Sequence, residues 1–231
     1  MHRVTLVRHG QARYGEVDYD RLSQLGERQA RLLGKHWAER AVLFDRVFVG
    51  PRTRHRQTHD AVAAEFLKRG LKWPAPVESA GLDEYPAFEV MGVAMPAILE
   101  KEPEMRKALE SSDPAVAKRT YFQLFRRITT SWVNGEFETP GIESWTAFRA
   151  RVSAALTEMA NGSDAVAFTS GGPVAACVGH VLDLSALKTM QLSWAVLNGT
   201  FSDILVARDR FALGSFNASP HLDDPELVTG T

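Results

Sequence analysis

Val4-Thr5-Leu6-Val7-Arg8-His9-Gly10 runs from a short strand-forming stretch into a charged pair and a glycine. A second apolar run of strand length, Arg46-Val47-Phe48-Val49, ends at Gly50. A third, Ala165-Val166-Ala167-Phe168, ends at Thr169-Ser170-Gly171-Gly172. Weaker runs lie at residues 77–79, 202–207 and 211–216. Between them, apolar residues recur at helical spacing, as in Leu25, Ala30, Leu33 and Trp37, and again in Val62, Ala63, Phe66 and Leu67. Strands alternating with helices predict an α/β fold: three α/β/α layers around a mostly parallel six-stranded sheet. The last two strands are joined only by Ala207-Arg208-Asp209-Arg210, too short for a crossover. They are expected to form an antiparallel hairpin at the sheet edge.

Residues 86–141 read differently, as two or three helices without a strand. Pro103 and Pro114 suit first helical positions, and Asp113 suits an N-cap. Phe122, Phe125, Ile128 and Trp132 form one stripe. The segment reads as a helical cap inserted into a single domain spanning 1–231. Ser144 then caps a long helix bearing Trp145, Phe148, Val152, Leu156 and Met159.

At 231 residues, 45% hydrophobic and 24% charged, the chain can bury a large core without disulfides or metal. The lone cysteine, Cys177, excludes an internal disulfide and reads as a small residue within a buried helix. A net charge of −1 gives no bulk reason to expect nucleic-acid binding. No apolar stretch approaches the ~18 residues of a membrane span, and the first residues lack a signal-peptide pattern. A cytoplasmic location is expected.

In open α/β sheets, ligands bind at the carboxyl ends of strands. A neutral histidine there, with one ring nitrogen held by a hydrogen bond, can act as a nucleophile. Arg8 can grip phosphate, and Gly10 permits close backbone approach. Arg8, Arg52, Arg54 and Arg56 are expected to crowd two adjacent strand ends where a phosphate would sit. Gln11 and Arg13 follow His9 and are candidates for substrate contact. No histidine, cysteine and aspartate cluster has metal-ligand spacing, so neither metal nor other cofactor is expected.

Further blocks accompany this turn. Leu22-Ser23 is followed by Gly26 and Gln29-Ala30. Gly50-Pro51-Arg52-Thr53-Arg54-His55-Arg56-Gln57-Thr58 follows the second strand, and Leu82-Asp83-Glu84-Tyr85 comes later. With Arg8-His9-Gly10, these blocks resemble the histidine phosphatase (phosphoglycerate-mutase-like) superfamily. In the second block the family usually reads Ser-Pro-Leu-x-Arg-Ala-x-Gln-Thr, so Arg54, Gln57 and Thr58 match while Gly50, Arg52 and His55 depart. The resemblance implies a phosphomonoester hydrolase working through phosphohistidine on His9. Glu84 would serve as general acid and base, with Asp83 as its fallback. Arg8, Arg54, Ser170 and Gly171 would bind phosphate, with Gln11 beside them. The substrate would be a small phosphorylated molecule, with inorganic phosphate as a ligand; the reading admits a homodimer.

One departure cuts against full activity. The family carries a second histidine where this chain has Ser170. A serine can still donate through its hydroxyl, or it can merely cap the following helix. His55, His59 and His221 are weighed as stand-ins, and each is expected first as a surface residue. Two further readings follow: a catalytically weakened phosphatase-like binding or regulatory protein, and a phosphomutase. A serine hydrolase built on Ser170, Asp203 and His221 leaves Arg8, His9 and Arg54 unexplained. Asn198-Gly199-Thr200 precedes the next strand, and the resemblance implies an asparagine-containing turn near the pocket there.

Overall fold

The computed structural model describes residues 1–13, 18–208 and 210–230. Two compact units divide the chain: 1–84 with 149–231, and 85–148.

The first unit is built in chain order from β1 (His2–Arg8), α1 (Gln24–Glu39), β2 (Arg46–Val49), α2 (Thr53–Leu67) and β3 (Pro76–Glu78). The second unit carries α3 (Ala87–Lys101), α4 (Pro103–Leu109) and α5 (Pro114–Val133), and α6 (Trp145–Met159) leads back to the first. There β4 (Ala165–Thr169), α7 (Gly171–Val181), α8 (Ala186–Ser193), β5 (Phe201–Ala207) and β6 (Arg210–Ala218) complete the fold. The sheet order is β3-β2-β4-β1-β5-β6. The first four of these strands pair in parallel, while β5 is antiparallel to both β1 and β6. This is the three-layer α/β/α arrangement, with its antiparallel hairpin at one edge. Of the hairpin link, Asp209 lies outside the described residues.

Burial follows strand position. All five residues of β4 are buried, as an apolar run at the centre of a covered sheet requires. β5, next to the edge, alternates buried and half-buried residues. One core joins Val7, Val47, Val49, Val166 and Phe168 of the sheet to Leu33, Trp37, Val62 and Phe66 of α1 and α2. Each large side chain buried there contributes about 1.5–3 kcal/mol. Ser23 starts α1 by accepting from the Gly26 N–H (3.1 Å). α7 is buried from Gly171 to Gly179, which its apolar sequence makes necessary. Within it Cys177 is fully buried, and desolvation pushes its thiol up to about 12.

In the second unit, Pro103 and Pro114 begin α4 and α5, and the Asp113 carboxylate accepts from the Ala115 N–H (2.8 Å). The unit runs on to Phe148 because Tyr85, Trp132, Trp145 and Phe148 form one aromatic cluster, with ring centroids 5.2–6.1 Å apart. A hollow of about 500 Å³ in this unit is lined by Phe88, Met91, Met95, Leu99, Arg106 and Tyr121. No helix among the described residues is long and apolar enough to cross a membrane.

Candidate active site

The carboxyl ends of β1, β2 and β4 lie side by side and deliver His9, Gly50 and Ser170 in turn. The ends of β1 and β2 are not adjacent, as the sequence suggests, because β4 pairs between them. Ser170 therefore sits between the Arg8-His9 turn and the Arg54 block.

His9 is almost fully buried, at 4% exposure. Its Nδ1 lies 2.7 Å from the Gly10 carbonyl oxygen, and Arg54 Nε–H donates to its Nε2 at 3.0 Å. A carbonyl only accepts and a guanidinium only donates. The proton therefore sits on Nδ1, and Nε2 carries the lone pair. Desolvation, then the charges of Arg54 and Arg8, hold the ring well below the usual histidine range. His9 is neutral at pH 7. The turn is braced from behind by the Asn198-Gly199-Thr200 turn. Gly199 N–H bonds the Arg8 and His9 carbonyls (both 3.1 Å), and Gly199 has φ of +70°, which favours glycine. Gly10 also makes a contact within the fold: a Cβ there would lie 2.3 Å from the Gly26 carbonyl oxygen. It allows turn and helix α1 to touch, backbone to backbone.

Arg54 is buried and its fork has three partners. Beyond His9, Nη1 pairs with Asp20 Oδ1 (2.6 Å) and Nη2 donates to Ser170 Oγ (3.3 Å). Thr58 and Gln57 fasten this block to its neighbours, Thr58 Oγ accepting from Gly10 N–H and Gln57 from Leu22 N–H. Arg8 is also buried, with Nη1 donating to the Val196 carbonyl. The other two arginines do not join the cluster. Arg52 forms a bidentate pair with Asp83 (2.5 and 3.2 Å), and Arg56 pairs with Glu78 at the surface.

Asp83 is thus committed to Arg52 and also accepts from the Glu84 N–H. Glu84 instead reaches the start of α7, where Oε2 accepts from Gly172 N–H at 3.3 Å. The Gln11 side-chain oxygen accepts from Ser23 Oγ at the start of α1 (2.8 Å). Arg13 donates to the Leu22 carbonyl.

Ser170 does not cap α7 through its side chain. Its hydroxyl lies 2.7 Å from His55 Nε2. The expectation that His55, His59 and His221 lie at the surface fails for all three. His55 is fully buried, and the other two are at most 6% exposed. His59 is held by Asp60 and by Trp73 Nε1, and His221 by the Gly199 carbonyl and the Phe201 ring, so only His55 enters the site. Asp20, which no sequence pattern singled out, is the other addition.

Buried neutral histidines make stability pH-dependent. Desolvation is the first cause lowering His9, His55 and His221, the last to about 4. In the unfolded chain each takes a proton near pH 6.5, while in the fold it does not. Stability is therefore full above about pH 6.5 and falls as pH drops below it, each group adding a slope of up to about 1.4 kcal/mol per pH unit. Urea unfolding between pH 7.5 and 5 (a range of about 2.5 units) is expected to show this decline, shallower in His221→Gln. A flat profile would contradict the buried neutral assignment.

A family model, the histidine phosphatase superfamily (branch 1), matches residues 4–219. The chain belongs to the histidine phosphatase superfamily. Membership supports phosphatase or mutase activity in general. Several solved structures share the fold. A mutant phosphoserine phosphatase from Entamoeba histolytica, bound to phosphoserine, is 17% identical with a TM-score of 0.60, covering 96% of this chain and 100% of that one. A mycobacterial glucosyl-3-phosphoglycerate phosphatase is 19% identical with a TM-score of 0.59, over 95% and 100%. Bacillus stearothermophilus YhfR is 14% identical with a TM-score of 0.67, over 96% and 100%. No curated protein matches the chain by sequence. Among the described residues, no group of three or more histidine, cysteine, aspartate or glutamate side chains could hold a metal ion.

Proposed function

We propose that the protein is a phosphomonoester hydrolase acting through a phosphohistidine at His9. The observation that carries this reading is the state of the ring: neutral, with Nδ1–H held by Gly10 and Nε2 directed at the guanidinium of Arg54. A phosphoryl group entering there exchanges places with the Arg54 Nε–H contact. Nε2 attacks phosphorus in line, and the bond from phosphorus to the ester oxygen breaks. The Glu84 carboxylic acid gives its proton to that departing oxygen. Water then attacks the phosphohistidine, losing a proton to the Glu84 carboxylate, and inorganic phosphate leaves with His9 restored. Arg8 and Arg54 hold the equatorial oxygens, assisted by Ser170 and the Gly171 N–H at the start of α7. The substrate is a small phosphorylated molecule, the class named for two of the structural neighbours.

The leaving group tests Glu84. An alkoxide needs a proton as it departs, whereas p-nitrophenolate does not. Glu84→Gln is expected to slow alkyl phosphates by about 10²–10⁴-fold. Phosphoenzyme formation from p-nitrophenyl phosphate should fall far less. Equal losses on both substrates in a rapid-quench measurement would remove Glu84 from the acid's role. A second reading, a phosphate-binding regulator with little turnover, is favoured by Ser170 standing where the family has histidine. Phosphate binding without phosphoenzyme would establish that reading instead.

A further inference from the structure

Three of the chain's departures from the family pattern meet at one point. Gly50, His55 and Ser170 come from the end of β2, from α2 and from the end of β4, and His55 lies against both of the others. His55 Nε2 lies 2.7 Å from Ser170 Oγ. A Cβ at position 50 would lie 2.4 Å from His55 Nδ1, so the ring occupies the space that a side chain there would fill. Both His55 and Ser170 are 0% exposed, so neither side chain could grow without displacing the other. The same guanidinium that meets His9 through Nε meets Ser170 through Nη2. The rings of His9 and His55 are 5.8 Å apart, centroid to centroid.

We infer that His55 and Ser170 act as one relocated unit in place of the missing histidine, and that Gly50 is the substitution that makes room for it. This rests on the phosphoryl-transfer reading above. Ser170 is the group that meets the phosphoryl oxygens, and His55 is the positioning residue behind it.

Proton counting supports the division of labour. A serine hydroxyl has one proton and two lone pairs. Arg54 Nη2–H takes one lone pair. A neutral imidazole can present either a donor or an acceptor at Nε2. The Gly50 backbone beside Nδ1 favours a proton there in the resting site; an anionic phosphoryl oxygen accepts only, so its arrival selects the other tautomer, with the proton on Nε2. His55 then donates to the second lone pair, and the hydroxyl proton is left for the phosphoryl oxygen. With both lone pairs held, the hydroxyl cannot rotate away as an isolated serine would. A buried, rigid donor is worth far more to a developing charge than a mobile one.

The test is a set of full-length variants assayed on p-nitrophenyl phosphate, with phosphohistidine at His9 followed by acid-labile label. Ser170→Ala and His55→Ala are each expected to lower kcat by about 10²-fold, with KM moving little. The double variant should be no slower than either single one, because the two groups work as one. His55→Gln, which keeps an N–H donor, should recover part of the loss and guards against a folding defect in His55→Ala. Ser170→His alone should be worse than Ser170→Ala, since the His55 ring fills its space. Adding Gly50→Ser and His55→Ala should restore activity to it. Additive losses, wild-type kcat in His55→Ala, or failure of the triple exchange to recover activity would overturn the inference. If the wild-type chain forms no phosphohistidine, the phosphoryl-transfer reading itself falls. If it does and the His55 variants are indifferent, only the relocated pair falls.

Discussion

His9→Ala is expected to abolish phosphoenzyme formation and to lower kcat/KM on the order of 10⁴-fold or more. Neither His55 nor Cys177 can replace it. His55, the nearest imidazole to it that enters the site, presents Nε2 to Ser170 and is separated from His9 by 5.8 Å between ring centroids. Cys177 lies buried in α7, with a thiol held protonated. The variant should still bind inorganic phosphate, because Arg8 and Arg54 remain. Binding should even tighten, since in the wild-type chain His9 Nε2 occupies Arg54 Nε–H and a phosphate oxygen must displace it. Calorimetric titration with phosphate checks the second half, and rapid-quench labelling checks the first. Label retained in the variant would move the nucleophile to another residue. Loss of phosphate binding with retained folding would mean that the two arginines do not form the anion site.

The parts legible in the sequence are those governed by neighbours in the chain. Val4–Val7 and its counterparts read as strands because the pattern is local, and the residues just after them fall at the sheet's carboxyl edge whatever the strand order. Arg8, His9 and Arg54 are placed at that edge in this way. Strand order is a non-local outcome, so nothing in the run 165–169 told that it would pair between β1 and β2 and set Ser170 at the centre. The misreading of His55 has a similar origin. A histidine among Arg52, Arg54 and Arg56 looks solvated, because three charges share its helix turn. Two of those charges are drawn outward by Asp83 and Glu78, while Gly50 leaves a hole that the ring enters. Gln11 shows another non-local contact: its place after His9 suggests substrate contact, and its side-chain oxygen is held by Ser23 at the start of α1. Asp20 carries no signal at all, since a lone acidic residue before a helix is common and its partner is 34 residues away.

Arg54 is where those non-local contacts converge, and Arg54→Lys is the most discriminating conservative change. The lysine keeps the positive charge but has one nitrogen where the guanidinium has three. It cannot reach His9, Asp20 and Ser170 together, contacts now held at 3.0, 2.6 and 3.3 Å. A single lost donor to a developing oxyanion costs about 10²–10³-fold in rate. Arg54→Lys loses the fixed fork as well as a donor, so kcat/KM is expected to fall by about 10³-fold, with Arg54→Ala lower still. The two variants separate charge from geometry in a second measurement. The charge of Arg54 is the second cause, after burial, holding His9 in its neutral form. In Arg54→Ala that cause is gone, so the His9 pKa rises toward its ordinary value of about 6.5. Its contribution to acid destabilisation shrinks accordingly, and the remaining activity should fall off at a higher pH than in the wild-type chain. Arg54→Lys retains the charge and should keep the wild-type acid limb despite its lost rate. Equal rates for lysine and arginine would show that position 54 supplies only charge. An acid limb unmoved in the alanine variant would show that burial alone keeps His9 neutral.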